Sequence, residues 1–323
     1  MELDRAQLDL LQQFERGLDP QQPERSRVPA TVLGYGEIST VFAIQAPGLR
    51  GLAFKRLPLF RRLPEVERYL VAYQEYNRLL EAEIGIRLPA YGHTWFLDQA
   101  GAPVVYLIQG QLPADSMGSR VIHSLPPERV PLLVKRVLQE LLKVWDFNRR
   151  QDRVRVGLDG QISNWALGSF DPTNPRVDEA PLYYLDTSTP LFRVGGVEQL
   201  DVELFLRSAP SFLVWLLRLL YLKDVVDRYY DLHLVSVDIA ANFYKEQRPD
   251  LIPAAVSALN DFFRGEAAAL AVQPVTEEEV RAYYREDALI WSLYLSMRKV
   301  DRFLRRRVLG RAYPYILPEA IKR

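Results

Sequence analysis

An ordered β-type start constrains this chain most. Thr31-Val32-Leu33-Gly34-Tyr35-Gly36-Glu37-Ile38-Ser39-Thr40-Val41-Phe42 reads as strand, glycine-rich turn, strand, and a second apolar run, Leu52-Ala53-Phe54-Lys55, carries a lysine fourteen residues after Val41. Lysine is scarce, occurring only at 55, 135, 143, 223, 245, 299 and 322. A lone lysine closing an apolar strand and facing a glycine turn suits a nucleotide phosphate site, because backbone N–H groups can approach phosphate oxygens where side chains are small. The same residues also read as an ordinary hairpin turn with a snorkelling strand lysine. The two readings stay open on this segment alone.

Composition removes several function classes. The 323 residues carry 41 basic and 41 acidic side chains, so no global field draws the chain to a polyanion and nucleic acid is disfavoured as a partner. With no cysteine, thiol catalysis, disulfides and thiolate metal sites are excluded. His93, His123 and His233 are too scattered to suggest a metal centre. The start Met1-Glu2-Leu3-Asp4-Arg5 lacks a secretory pattern, and the greasiest stretch, 211–222, is short and broken by Arg218. The expectation is a cytoplasmic protein without a transmembrane segment.

Periodicity divides the chain into three. A short amphipathic helix with Leu8, Leu10 and Leu11 and a polar linker fill residues 1–26. From 27 to 112 the pattern predicts a small antiparallel β lobe with one helix, whose apolar positions include Val66, Leu70, Tyr73, Leu80 and Ile84. Residues 113–323 read as a mainly helical lobe with a β insert at about 153–193. A helix opening at Pro126 or Pro127 and running to about Phe147 leads that lobe. The fold class expected is therefore α+β and bilobal.

Three further segments carry candidate chemistry. Glu75, twenty residues after Lys55, shares a helix face with Ala72 and Leu79, which would turn it towards the sheet and the lysine. The alternative is a solvated helix carboxylate. In Gly157-Leu158-Asp159-Gly160-Gln161-Ile162-Ser163-Asn164, Asp159 could orient or deprotonate a hydroxyl and Asn164 could hold magnesium. The same stretch also reads as a hairpin with an Asp-Gly turn. Asp186 directly follows the apolar Leu182-Tyr183-Tyr184-Leu185, poor placement for packing but apt for presenting a carboxylate to a hard cation. A turn-initiating or capping aspartate is the plainer role.

Taken in order, these pieces resemble the protein-kinase-like superfamily, in particular its aminoglycoside and small-molecule phosphotransferase branch, over residues 31 to 190. The resemblance implies a bilobal kinase-like fold that binds ATP and magnesium. Gly34, Gly36, Ser39 and Val41 would form the nucleotide loop, Lys55 would meet the phosphates and Glu75 would hold Lys55. Gln109 would lie in the adenine hinge, Asn164 and Asp186 would bind metal, and Asp159 would act on the acceptor. Gly157-Leu158 stands where that superfamily has a bracing His-Arg or His-Gly, and Thr187-Ser188 replaces Phe-Gly after the metal aspartate. These departures keep a second reading in view, a nucleotide-binding pseudokinase or interaction module without turnover.

The short run from Asp186 to Leu200 leaves little chain for a peptide platform, which favours a small-molecule acceptor. Aromatic segments at 212–221 and 283–294 read as helix core, and the basic run Arg298–Arg307 as a solvated face. A third reading is a peripheral membrane or scaffold protein working through its helical half and this basic tail.

Overall fold

The computed structural model describes residues 1–20, 22–36, 38–98, 101–171, 173, 176–207, 226–308, 310, 313 and 315–317. The greasy stretch 211–222 and the aromatic segment 212–221 lie outside them.

The N-terminal half is built on one five-stranded antiparallel sheet, β1 (Ala30–Tyr35), β2 (Thr40–Ile44), β3 (Leu52–Leu57), β4 (Tyr91–Leu97) and β5 (Pro103–Gly110), in the order β1-β2-β3-β5-β4. Alternation decides what each face meets. Phe42, Ile44, Phe54, Tyr106 and Ile108 point outward and are buried under α1 (Arg5–Gly17), against its Leu11 and Phe14. α1 begins with a capping box in which Asp4 and Gln7 satisfy each other's backbone N–H. Its Glu15 is buried against Arg56, 2.7 Å from both Nε and Nη2, and also takes the Tyr106 hydroxyl, so an ion pair locks the helix to β3 and β5.

The opposite face carries Leu57, Val105 and Leu107 beneath α2 (Leu63–Arg78), which packs with Val66, Tyr69, Leu70 and Tyr73. α2 continues as a π-helical turn, Leu79–Ile84, and ends at Gly85, whose φ of +81° favours glycine. Val41, Ala43, Ala53, Lys55 and Gln109 share this inner face but lie beyond α2 and are only partly covered. They form one wall of a cleft.

The C-terminal half is mainly helical. α3 (Gly118–Ser124), α4 (Val130–Arg149), α5 (Val202–Leu206), α6 (Leu232–Lys245), α7 (Ile252–Arg264) and α8 (Glu277–Phe303) enclose the largest core, with Val134, Val137, Leu138, Leu141, Ile239, Phe243 and Leu259 at its centre. Between α4 and α5 run β6 (Val154–Val156), β7 (Trp165–Leu167), β8 (Leu182–Tyr184), β9 (Phe192–Val194) and β10 (Val197–Glu198). β7 pairs with β8, while β6 joins β9 and β10. The arrangement is the mixed α+β fold expected, a small antiparallel sheet with its helices followed by a larger helical half.

Candidate functional site

The site forms where the inner face of the sheet meets the β6–β9 segment. β3 presents Lys55 there, in mid-strand rather than at the strand end expected from sequence, because Arg56 and Leu57 continue the ladder with β5. β8 ends at Tyr184, and the chain then delivers Asp186 opposite the lysine. Lys55 Nζ donates to Asp186 Oδ1 and to Ser188 Oγ, both at 2.7 Å, and Ser188 Oγ in turn donates to Asp186 Oδ1 at 2.7 Å. The three groups close a ring. Burial pushes the Asp186 carboxyl up, but Lys55 and the Ser188 hydroxyl outweigh it and hold the group below its ordinary range, so the carboxylate stays ionised.

Glu75 is not part of this ring. α2 turns Tyr69, Tyr73 and Tyr76 towards the site, at i, i+4 and i+7, so the face that would have carried a lysine partner is filled by aromatic rings. Tyr69 donates to the Ser188 carbonyl at 2.7 Å and Tyr76 to the Gly157 carbonyl at 2.9 Å. Glu75 lies beside that face, two-fifths exposed, and takes Arg78 Nε and Nη2 at 2.9 Å. Its expected ion pair with Lys55 is replaced by the pair between Lys55 and Asp186.

Asp159 sits in the loop between β6 and β7. These strands pair with β9 and β8 respectively, so Asp159-Gly160 is not the turn of a hairpin. The loop lies tight on α6, where a Cβ on Gly160 would come within 2.8 Å of Val235 Cγ1, so glycine is required for the approach. Asp159 Oδ1 accepts the Gln161 N–H at 3.1 Å. Its surroundings oppose ionisation: burial is the largest cause, the charges of Asp238 and Asp186 add to it, and the carboxyl is pushed up to about 7. A carboxylate poised there can take a proton near neutrality.

Asp238, on α6, is a site residue that the sequence reading passed over. It is buried, accepts Gln161 Nε2 at 2.8 Å and meets Lys245 Nζ at 3.3 Å, and Lys245 also reaches Asp287 of α8 at 3.4 Å. Asn242, one turn on, accepts the Ser163 N–H at 3.1 Å. The signal was available: in Val235-Ser236-Val237-Asp238-Ile239-Ala240-Ala241-Asn242-Phe243 an aspartate and an asparagine, with Ser236 the other polar residue, occupy core positions, where uncompensated polar groups are costly.

Asn164 is carried to the same end of the cleft, since its carbonyl accepts the Leu185 N–H at 2.8 Å, one residue before Asp186. Neither the Asn164 side chain nor Asp186 Oδ2 takes a hydrogen bond from the described residues. Magnesium held beside phosphates needs only one or two protein oxygens, and these two fit that demand. No group of three or more histidine, aspartate or glutamate side chains able to hold a metal occurs among the described residues, so an all-protein metal cage is not what this site offers.

The glycine turn caps the β1–β2 hairpin. Gly34 faces Val41 across the ladder, Gly36 donates its N–H to the Ser39 carbonyl at 3.0 Å, and the register shifts between Val32 and Gly34. A Cβ on Gly36 would meet Ser39 Oγ at 2.6 Å, whereas at Gly34 it would meet nothing within 4 Å. Gln109 lies within β5 rather than in a hinge loop, and its side chain crosses the cleft to donate to the Leu185 carbonyl at 2.9 Å. The chain leaves the sheet after Gly110. A cavity of about 290 Å³ opens there, lined by Ala43, Gln45, Leu49, Gly51, Leu52 and Gln111.

A family model described as "Family of unknown function (DUF6206)" matches residues 20–302. No curated protein matches the chain. A solved structure titled "WaaP in complex with acyl carrier protein" is similar over 76% of this chain and 86% of that one, at 17% identity and a TM-score of 0.31, a likeness too loose to assign anything.

Proposed function

For this chain, which belongs to the DUF6206 family, we propose an ATP-dependent phosphotransferase acting on a hydroxyl of a small-molecule acceptor. The observation that carries the reading is the Lys55–Asp186–Ser188 ring at the wall of the cleft, with Asp159 close enough for the Asp186 charge to act on it. A cation from the sheet and two carboxylates from the opposite half are the groups that phosphoryl transfer requires. Magnesium, held by Asp186 and Asn164, would neutralise the charge of the nucleotide phosphates. Gly34, Gly36, Ser39 and Val41 of the β1–β2 hairpin would cover those phosphates, Lys55 would supply a fixed positive charge, and Gln109 keeps β5 against the Leu185 backbone. Asp159 takes the proton of the acceptor hydroxyl on a carboxylate oxygen; the Gln161 N–H sets its orientation, and burial with the charge of Asp238 raises its proton affinity. A short connection from Asp186 to α5, holding only β9 and β10, leaves room for a small ligand rather than a peptide platform.

A second reading, nucleotide binding without turnover, is favoured by one specific observation. Lys55 is held by the proposed metal ligand itself, because Glu75 pairs with Arg78 instead. Asp159→Ala separates the two. If Asp159 accepts the proton, the variant keeps Mg-ATP binding while transfer to a panel of sugars, alcohols and amines falls by about 10²-fold or more. Binding by the wild type with no transfer to any acceptor would favour the second reading.

A further inference from the structure

The C-terminal part of α8 has two opposed faces. One is packed: Arg298 is buried, with its guanidinium 5.3 Å from the Tyr294 ring centroid and 4.8 Å from that of Tyr315, beside Ser39 and Thr40 of the glycine hairpin. The basic run is therefore not wholly a solvated face. On the other side Leu289, Leu293, Val300, Phe303, Leu304 and Val308 are each at least two-fifths exposed, reaching 70% at Leu289. Their spacing of three, four and seven residues puts them on one stripe, extended past Phe303 by the π-helical turn Leu304–Val308. Cations interleave with this stripe. Arg306 and Arg307 are exposed and hold no ion pair among the described residues, with Lys299 and Arg302 on the same stretch. From 298 to 308 there are six cations against one acid, Asp301, in a chain whose overall charge is balanced.

We infer that this face of α8 docks on an anionic lipid surface. An exposed apolar stripe edged by arginine and lysine gains from burial in acyl chains and from attraction to anionic headgroups together. A polyanion alone would draw the cations but leave the leucines and Phe303 in water. A second copy fits less well. Antiparallel pairing would match the cations to Glu277, Glu278, Glu279 and Glu286 but bury Val300, Phe303, Leu304 and Val308 against those polar side chains, and parallel pairing would oppose like charges. The inner side of the same helix reaches the cleft, through Asp287 and Lys245, so docking would hold the cleft beside the membrane surface. The proposal stands apart from the nucleotide reading.

Flotation of the full chain with lipid vesicles tests it. The protein is expected to float with vesicles of phosphatidylcholine and phosphatidylglycerol, not with phosphatidylcholine alone, and to be released by raised salt. Two double variants probe the two components, Arg306→Glu with Arg307→Glu and Val300→Ser with Phe303→Ser. Each should lower partitioning by about tenfold or more, with an unchanged melting temperature to show that the fold persists. Absence of flotation at low salt, or full flotation by both double variants, would overturn the inference. So would concentration-dependent dimerisation, without lipid binding, that the apolar variant abolishes.

Discussion

At the scale of single residues, three carboxylates in or beside the cleft stand in different surroundings. Asp186 is kept ionised by Lys55 and Ser188, Asp159 is pushed up to about 7 by burial and by Asp238, and Glu75 stands outside with Arg78. A raised folded-state pKa means that the native state binds more protons than the unfolded chain between about pH 4 and 7. The Asp159 carboxyl therefore costs stability as pH rises through that window. Asp159→Asn is expected to raise stability by roughly 1–2 kcal/mol at pH 8 and to leave it nearly unchanged at pH 4, since solvent reaching the partly exposed carboxyl screens the effect. Denaturant melts of both proteins at the two pH values would show it, and an equal difference at both would contradict the assignment. The sequence placed Asp159, Asn164, Asp186 and Lys55 as candidates, and the fold brings all four to one end of the cleft. It misplaced Glu75 because helical spacing gives a face but not its neighbours: Tyr73, read from sequence as an apolar position, with Tyr69 and Tyr76 took the position next to the sheet. Asp238 left a signal, a carboxylate at a core position of an apolar helix, but only the approach of Gly160 to α6 shows what it touches.

At the scale of elements, ion pairs between helices and loops set how the two halves meet. Arg207, just after α5, reaches Glu65 in the first turn of α2 at 2.7 and 3.0 Å, and Glu65 also accepts the Arg61 N–H at 2.9 Å. The Arg207 hydrogen bonds dominate over burial and hold the Glu65 carboxyl at about 2. A depressed folded-state pKa gives stability that is present above the unfolded value and lost as pH falls from about 4.5 towards 2. Glu65→Gln should cost roughly 2–3 kcal/mol at pH 7 and much less at pH 3, measured by denaturant unfolding. Loss of the same size at both pH values would assign the residue a packing role only. Strands and helices were largely legible from periodicity, because alternation along β1–β5 and the apolar face of α4 are dictated by burial. The role of α1 was not: that Glu15 would be buried on Arg56 depends on a contact across forty-one residues, which no local pattern encodes.

At the scale of the whole molecule, the sheet and the helical half have their own cores and share a cleft, and the proposed chemistry would sit where they meet. No described helix is long and apolar enough to cross a membrane, and the docking proposed for the exposed face of α8 is contact with a surface. The proposed function makes this cleft a magnesium-nucleotide site organised by Asp186. A ligand that binds only the folded state raises the melting temperature in proportion to its affinity, so the claim is read directly from thermal melts. The measurement is the melting temperature of wild type and Asp186→Asn, each with ATP in the presence and absence of magnesium. A rise with Mg-ATP in the wild type that exceeds the rise with ATP alone is expected, with loss of the magnesium-dependent part in Asp186→Asn. Equal shifts in the two proteins at the same magnesium concentration, or no shift in the wild type, would contradict it.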